Sequence, residues 1–184
     1  MFVLILTHHG IDLPRLVRTW ESTHRCEYDP RKNGMYHSDL DLSGGSVGPL
    51  RFDVVTENSS LHHRLMRSTK FVVVPARPDL VWDTCRQKYK NPTSAYANRL
   101  RRLYEVSTWA NALTVPYHRL FTADGATAIQ NFLGLAKPFK SQEAEVECGW
   151  PECPLITHYR RLEAKFAKTP GFYTRHANSS LPAW

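Results

Sequence analysis

Two short apolar runs constrain this chain most. Phe2 to Thr7 reads FVLILT and Lys70 to Val74 reads KFVVV. Neither alternates polar with apolar, so neither suits a strand with one wet face. A continuous β-branched run of this length is the mark of a strand buried on both faces, as in a parallel sheet covered by helices. The longer run is also far too short to span a bilayer, and no basic segment precedes it as in a signal peptide. With 42% hydrophobic and 22% charged residues among 184, the chain can fill a core and is no candidate for wholesale disorder.

The segments between the runs set the order. After Phe2 to Thr7 comes a loop, His8-His9-Gly10, and then Leu13, Leu16, Val17 and Trp20 at helical spacing, with Asp12 as N-cap. Residues 29–50 hold Asp29-Pro30, Asn33-Gly34 and Gly48-Pro49, which predicts an irregular connection or lid. Phe52 to Val55 reads as a strand and Leu61 to Met66 as a short helix. Helices are predicted from Pro78 to Gln87, from Ser94 to Ala112 and from Ala126 to Phe132, the last closed by Gly134. Thr114 to Tyr117 reads as a short strand. Thr157 to Lys168 reads as a final helix in an otherwise less regular tail. Strands alternating with helices predict an α/β fold with a mostly parallel central sheet and right-handed crossovers. Residues 1–135 form its body and 136–184 an irregular C-terminal extension packed on it or projecting from it.

Charge is uneven. Between Asn58 and Arg119 there are 11 Lys/Arg and 3 Asp/Glu, an excess of +8, while the rest of the chain sums to −1. Such a middle third attracts an anionic nucleotide, nucleic acid or an acidic protein, or else is a solvated helix face. Arg99, Arg101 and Arg102 with Tyr96, Tyr104 and Trp109 combine base-stacking and phosphate-binding residue types, although the aromatics also fall at core spacing. Four cysteines are too few for a disulfide scaffold of this size, which favours a cytoplasmic protein. Cys148 and Cys153 with His158 allow a zinc reading, but a fourth ligand is not evident, and a disulfide or free thiols fit as well. No metal is assigned.

In a parallel α/β sheet, ligands bind at the carboxyl ends of the strands. Two segments lie there. The first is the loop from His8 to Leu13, with Gly10, Ile11, Asp12 and Leu13 offering backbone N–H groups at a helix start. The second is Pro75-Ala76-Arg77-Pro78, where Arg77 can grip a phosphate with two parallel hydrogen bonds, or pair with Asp79.

These landmarks resemble the sulfotransferase branch of the P-loop fold. The family opens with a strand and a phosphate loop for the 5′-phosphosulfate of PAPS. A strand then leads into an Arg-x-Pro helix start, with a Ser six residues past the Pro; here Arg77 precedes Pro78 and Thr84 stands at the Ser position. A Tyr-Glu-x-Leu motif and a helix ending Phe-Leu-Gly-Leu follow; here these are Tyr117-His118-Arg-Leu120 and Phe132-Leu133-Gly134-Leu135. The resemblance covers residues 1–135. It implies a three-layer α/β/α P-loop-like fold, PAPS as sulfuryl donor, Arg77 and Thr84 on the nucleotide 3′-phosphate, and Gly10, Ile11, Asp12 and Leu13 around the 5′-phosphosulfate. His8, His9 and His37 are the candidate bases for the acceptor. The loop His8-His9-Gly10-Ile11-Asp12 lacks the family's Lys or Arg, and Ala76 occupies the family's Arg position. A second reading is therefore a catalytically degenerate domain kept as an interaction module, with a protein partner on the C-terminal extension. A third is a nucleotide-sugar glycosyltransferase, with Asp39-Leu40-Asp41 holding a divalent metal.

Overall fold

The computed structural model describes residues 2–9, 11, 25–29, 35–39, 50–55, 70–135, 141 and 154–178. Among these residues six strands form one sheet: β1 (Phe2–Thr7), β2 (Arg25–Asp29), β3 (Met35–Asp39), β4 (Leu50–Val55), β5 (Lys70–Val74) and β6 (Ala112–Thr114). Their order is β2-β3-β4-β1-β5-β6. β1 pairs in parallel with β4 and β5, and β5 in parallel with β6. β2 and β3 pair antiparallel with each other, and β3 pairs antiparallel with β4. The fold is mixed α/β.

The two apolar runs are the centre of this sheet. Val3 to Thr7 and Phe71 to Val74 are buried, as continuous apolar strands covered on both faces must be. The hairpin was not anticipated. Residues 29–50, expected to be irregular, contribute β3 and the start of β4, and Asp29 ends β2. Asn-Gly is as much a hairpin signal as a loop signal. The predicted helices over Leu13 to Trp20 and Leu61 to Met66 lie outside the described residues.

Six helices are described: α1 (Pro78–Lys88), α2 (Pro92–Ser107), α3 (Tyr117–Leu120), α4 (Ala123–Leu133), α5 (Pro154–Phe166) and α6 (Tyr173–Ala177). Their ends follow local chemistry. α2 starts earlier than expected because the Asn91 side chain accepts from Ser94 N–H and Pro92 occupies the first turn. It stops at Ser107, which frees Ala112 for the sheet. The short strand accordingly covers Ala112–Thr114, not Thr114 to Tyr117. Pro116 cannot donate to a ladder, and Tyr117 opens α3 instead. α4 is capped by Thr122 and closed by Gly134, whose φ of 71° is the left-handed conformation that glycine adopts without cost.

The tail carries a regular stripe. Leu155, Tyr159, Leu162 and Phe166 repeat at helical spacing on α5 and join the same buried cluster as β1, β5 and α2. Phe166 meets Tyr104 of α2 edge to face at 5.3 Å. Beyond α5 the chain returns to the sheet, where Thr114 N–H donates to Gly171 C=O at 2.8 Å. A Cβ on residue 171 would stand 1.8 Å from Ala112 O, so this approach requires glycine.

Candidate functional site

The sheet order creates a switch point. From β1 the chain moves to β4 on one side, and from β5 to β6 on the other. The crevice outside the carboxyl ends of β1 and β5 is where such sheets bind ligands. Thr7, His8 and His9 lie at one lip; Pro75, Ala76 and Arg77 lie at the other.

Both lips are occupied by buried polar groups. Thr7 Oγ1 donates to Val74 C=O across the strands at 2.9 Å. α2 sits over this junction and supplies two long side chains. Arg99 Nε donates to Thr7 C=O at 2.8 Å, and Tyr96 Oη donates to Ala76 C=O at 2.8 Å. These bonds satisfy the last carbonyls of β1 and β5 where the sheet ladder runs out, which buried backbone requires. Arg99 is 6% exposed. It lies in the stripe of Tyr96, Leu100, Leu103 and Val106, at spacing three from Tyr96, and that spacing was the signal that it turns inward. It is not part of a surface patch for nucleic acid. Tyr96 is likewise buried, and Trp109 packs edge to face on Phe71. Arg101 stays exposed, while Arg102 pairs with Glu105 at 2.8 Å.

His8 is 1% exposed and stacks on Tyr96, with ring centroids 4.8 Å apart. Burial, reinforced by the Arg99 charge, holds its pKa down at about 3. The imidazole is therefore neutral at physiological pH. Its Nε2 has no hydrogen-bond partner among the described residues. A base effective near neutrality needs a pKa near 7, so His8 is suited to hydrogen bonding rather than proton transfer. His9, beside it, is only half-buried.

Arg77 is the extended residue ahead of α1 and pairs with Asp79 in the first turn, Nη2 to Oδ2, at 3.2 Å. Their side chains are 8% and 2% exposed, so this is an interior pair. Thr84 is half-buried on α1, seven residues from Arg77 and thus on nearly the same helix face. Farther along the edge, Tyr117 N–H donates to Pro75 C=O. His118 Nε2 stands 3.9 Å from Glu163 Oε1 of α5, and Tyr159 Oη donates to that same oxygen at 3.5 Å. Burial and then the Glu163 charge push the Tyr159 phenol well up. Glu163 and Tyr159 come from a segment that carried no motif.

The other predicted residues fall as follows. Ile11 puts its side chain in the core cluster. Gly10, Asp12 and Leu13 lie outside the described residues, as do Cys148 and Cys153. His37 is brought nowhere near the crevice. It pairs with Arg51, which pairs with Phe2, so His37 sits five rows, roughly 16 Å, from the row of Thr7 and Val74. Asp39, at the end of antiparallel β3, belongs to the same amino edge. Among the described residues no three His, Cys, Asp or Glu could hold a metal ion. No described helix is long and apolar enough to cross a membrane.

Neither a scan against protein-family models nor a search among curated proteins finds a match for this chain.

Proposed function

We propose that the chain is a sulfotransferase-like nucleotide-binding protein of the cytoplasm, which holds PAPS across the carboxyl ends of β1 and β5. One observation carries the reading: two guanidiniums, Arg77 and Arg99, lie at the carboxyl ends of adjacent parallel strands at the switch point of the sheet. In this reading the fold is the three-layer P-loop type. Arg77 and Thr84 hold the 3′-phosphate, and the loop from His8 to Leu13 receives the 5′-phosphosulfate. His9, half-buried and adjacent, takes the proton from an acceptor hydroxyl or amine. The acceptor atom bonds to sulfur, the bond from sulfur to the bridging phosphate oxygen breaks, and its electron pair leaves with the nucleotide. Cationic donors stabilise that leaving charge.

Calorimetric titration with adenosine 3′,5′-bisphosphate tests the reading. We expect saturable one-to-one binding in the micromolar range, about −8 kcal/mol, lost in Arg77→Ala and Thr84→Ala. Binding that both substitutions leave intact would refute the site assignment.

A second reading is a non-catalytic interaction module on the same fold. It is favoured by the burial of His8 and by the Asp79 carboxylate already on Arg77. Folded protein that takes up no nucleotide supports this module and directs the search to a macromolecular partner.

A further inference from the structure

Arg77 has a resident anion. Its Nη2 lies 3.2 Å from Asp79 Oδ2, and both side chains are withdrawn from solvent. Asp79 serves the pair incompletely, because its second oxygen, Oδ1, is buried with no hydrogen-bond partner among the described residues. A carboxylate oxygen left dry is costly to bury. Besides the Arg77 guanidinium, two phenols, Tyr96 and Tyr159, feel its charge. The Asp79 charge helps to raise the pKa of both Tyr96 and Tyr159, keeping them un-ionised, although burial is the larger cause in each. Asp79 also occupies the first turn of α1, next to the helix start where an incoming anion would be favoured.

We propose that Asp79 sets the affinity and selectivity of the Arg77 site by competing with the ligand phosphate for the guanidinium. This inference rests on the nucleotide-binding reading above. A phosphate that reaches Arg77 must either displace the carboxylate from Nη2 or share the cation with it, and two anions on one buried cation repel strongly. The consequence is selective. A weakly charged or monoanionic group does not dislodge Asp79, whereas a phosphate dianion, with more charge and three acceptor oxygens, does. Asp79 thus tunes the site against ordinary small anions, at the expense of affinity for its own ligand. Glu163, which faces His118 and Tyr159, also acts on the Tyr159 phenol together with Arg77 and Asp79, and is not assigned a part in the competition.

The test compares wild type with Asp79→Asn, which keeps the shape of the side chain and removes its charge. Asp79→Ser serves where Asn prevents folding, since a hydroxyl suits a first helical turn. Each protein is checked by circular dichroism and titrated calorimetrically with adenosine 3′,5′-bisphosphate and with adenosine 5′-phosphate. The expected result is a gain of about tenfold or more for the bisphosphate, as befits a charge-assisted contact released to the ligand, with little change for the monophosphate, whose phosphate is also a dianion but which has no 3′-phosphate to reach Arg77. A wild type that binds the bisphosphate while the neutral variant binds it no better overturns the inference and leaves the nucleotide reading standing. An equal gain for both nucleotides also overturns it, because bulk charge is then the cause. Binding that appears only in the neutral variant supports both. No binding in either protein removes both.

Discussion

The carboxyl ends of β1 and β5 are neighbours in the sheet, and they close in opposite ways. At β1 the polar groups are used on backbone. Arg99 serves the Thr7 carbonyl, Thr7 serves Val74, and His8 stacks uncharged on Tyr96. At β5 the same phenol serves the Ala76 carbonyl, but the next residue carries a guanidinium held by a buried carboxylate. One end is an uncharged plug braced by a cation behind it. The other is an ion pair. The first resists protonation, and the second is where our proposal has one anion exchanged for another. A ligand site needs the second kind of end and a rigid example of the first beside it.

The contrast breaks most visibly in acid. The His8 pKa of about 3 in the folded protein lies below the 6.5 of an unburied imidazole. Between these values the unfolded chain binds a proton that the folded chain refuses. The stabilisation is whole above pH 6.5 and drains away as pH falls toward 3, by about 1.4 kcal/mol for each unit. Urea unfolding midpoints measured across that window are expected to fall accordingly. His8→Gln should flatten the slope by about one proton. A slope unchanged by that substitution would place the acid sensitivity elsewhere.

Arg99→Met probes the brace. It leaves the Thr7 carbonyl without its donor, at a cost of about 2 to 3 kcal/mol at neutral pH by urea unfolding. It also removes the charge that helps hold His8 neutral, so the His8 pKa should rise and the acid loss should shorten, a shift readable by NMR titration of the imidazole. Arg77→Met should leave that titration where it was, because the Arg77 charge is not among the causes of the His8 shift. If both substitutions move His8 alike, the two ends are a single electrostatic unit and the contrast fails. Tyr96→Phe is the mildest test. Losing the bond to Ala76 should cost about 1 kcal/mol in a urea melt, while the ring stays to stack on His8.

Much of the fold was legible because it rests on runs and spacing. FVLILT and KFVVV could be little else than buried strands, and Gly134 closed its helix where expected. The hairpin was hidden because the residues that turn a hairpin are those that populate loops. Within the site, Arg77 was legible from its place before Pro78, but its interior pairing with Asp79 was not, since local sequence does not show what covers a side chain. Arg99 was misread from composition. An arginine between Arg101 and the aromatics suggests a wet basic face, and only the stripe through Tyr96, Leu100 and Leu103 shows that it points inward. Tyr159 and Glu163 reach the same edge from 80 residues beyond Asp79, a proximity that tertiary structure alone creates.

The approach of Gly171 to Ala112 bears on how copies of the chain behave toward one another. β6 stands last in the described sheet order, and a bare strand edge invites another molecule to add to it. Here Thr114 bridges to Phe172 on that side, and the Gly171 carbonyl takes its N–H. The returning tail therefore acts as a guard against self-association. Because Thr114 pairs with Val73 at the carboxyl end of β5, this guard stands one strand away from Arg77, and its removal would bare the strand edge beside the candidate site.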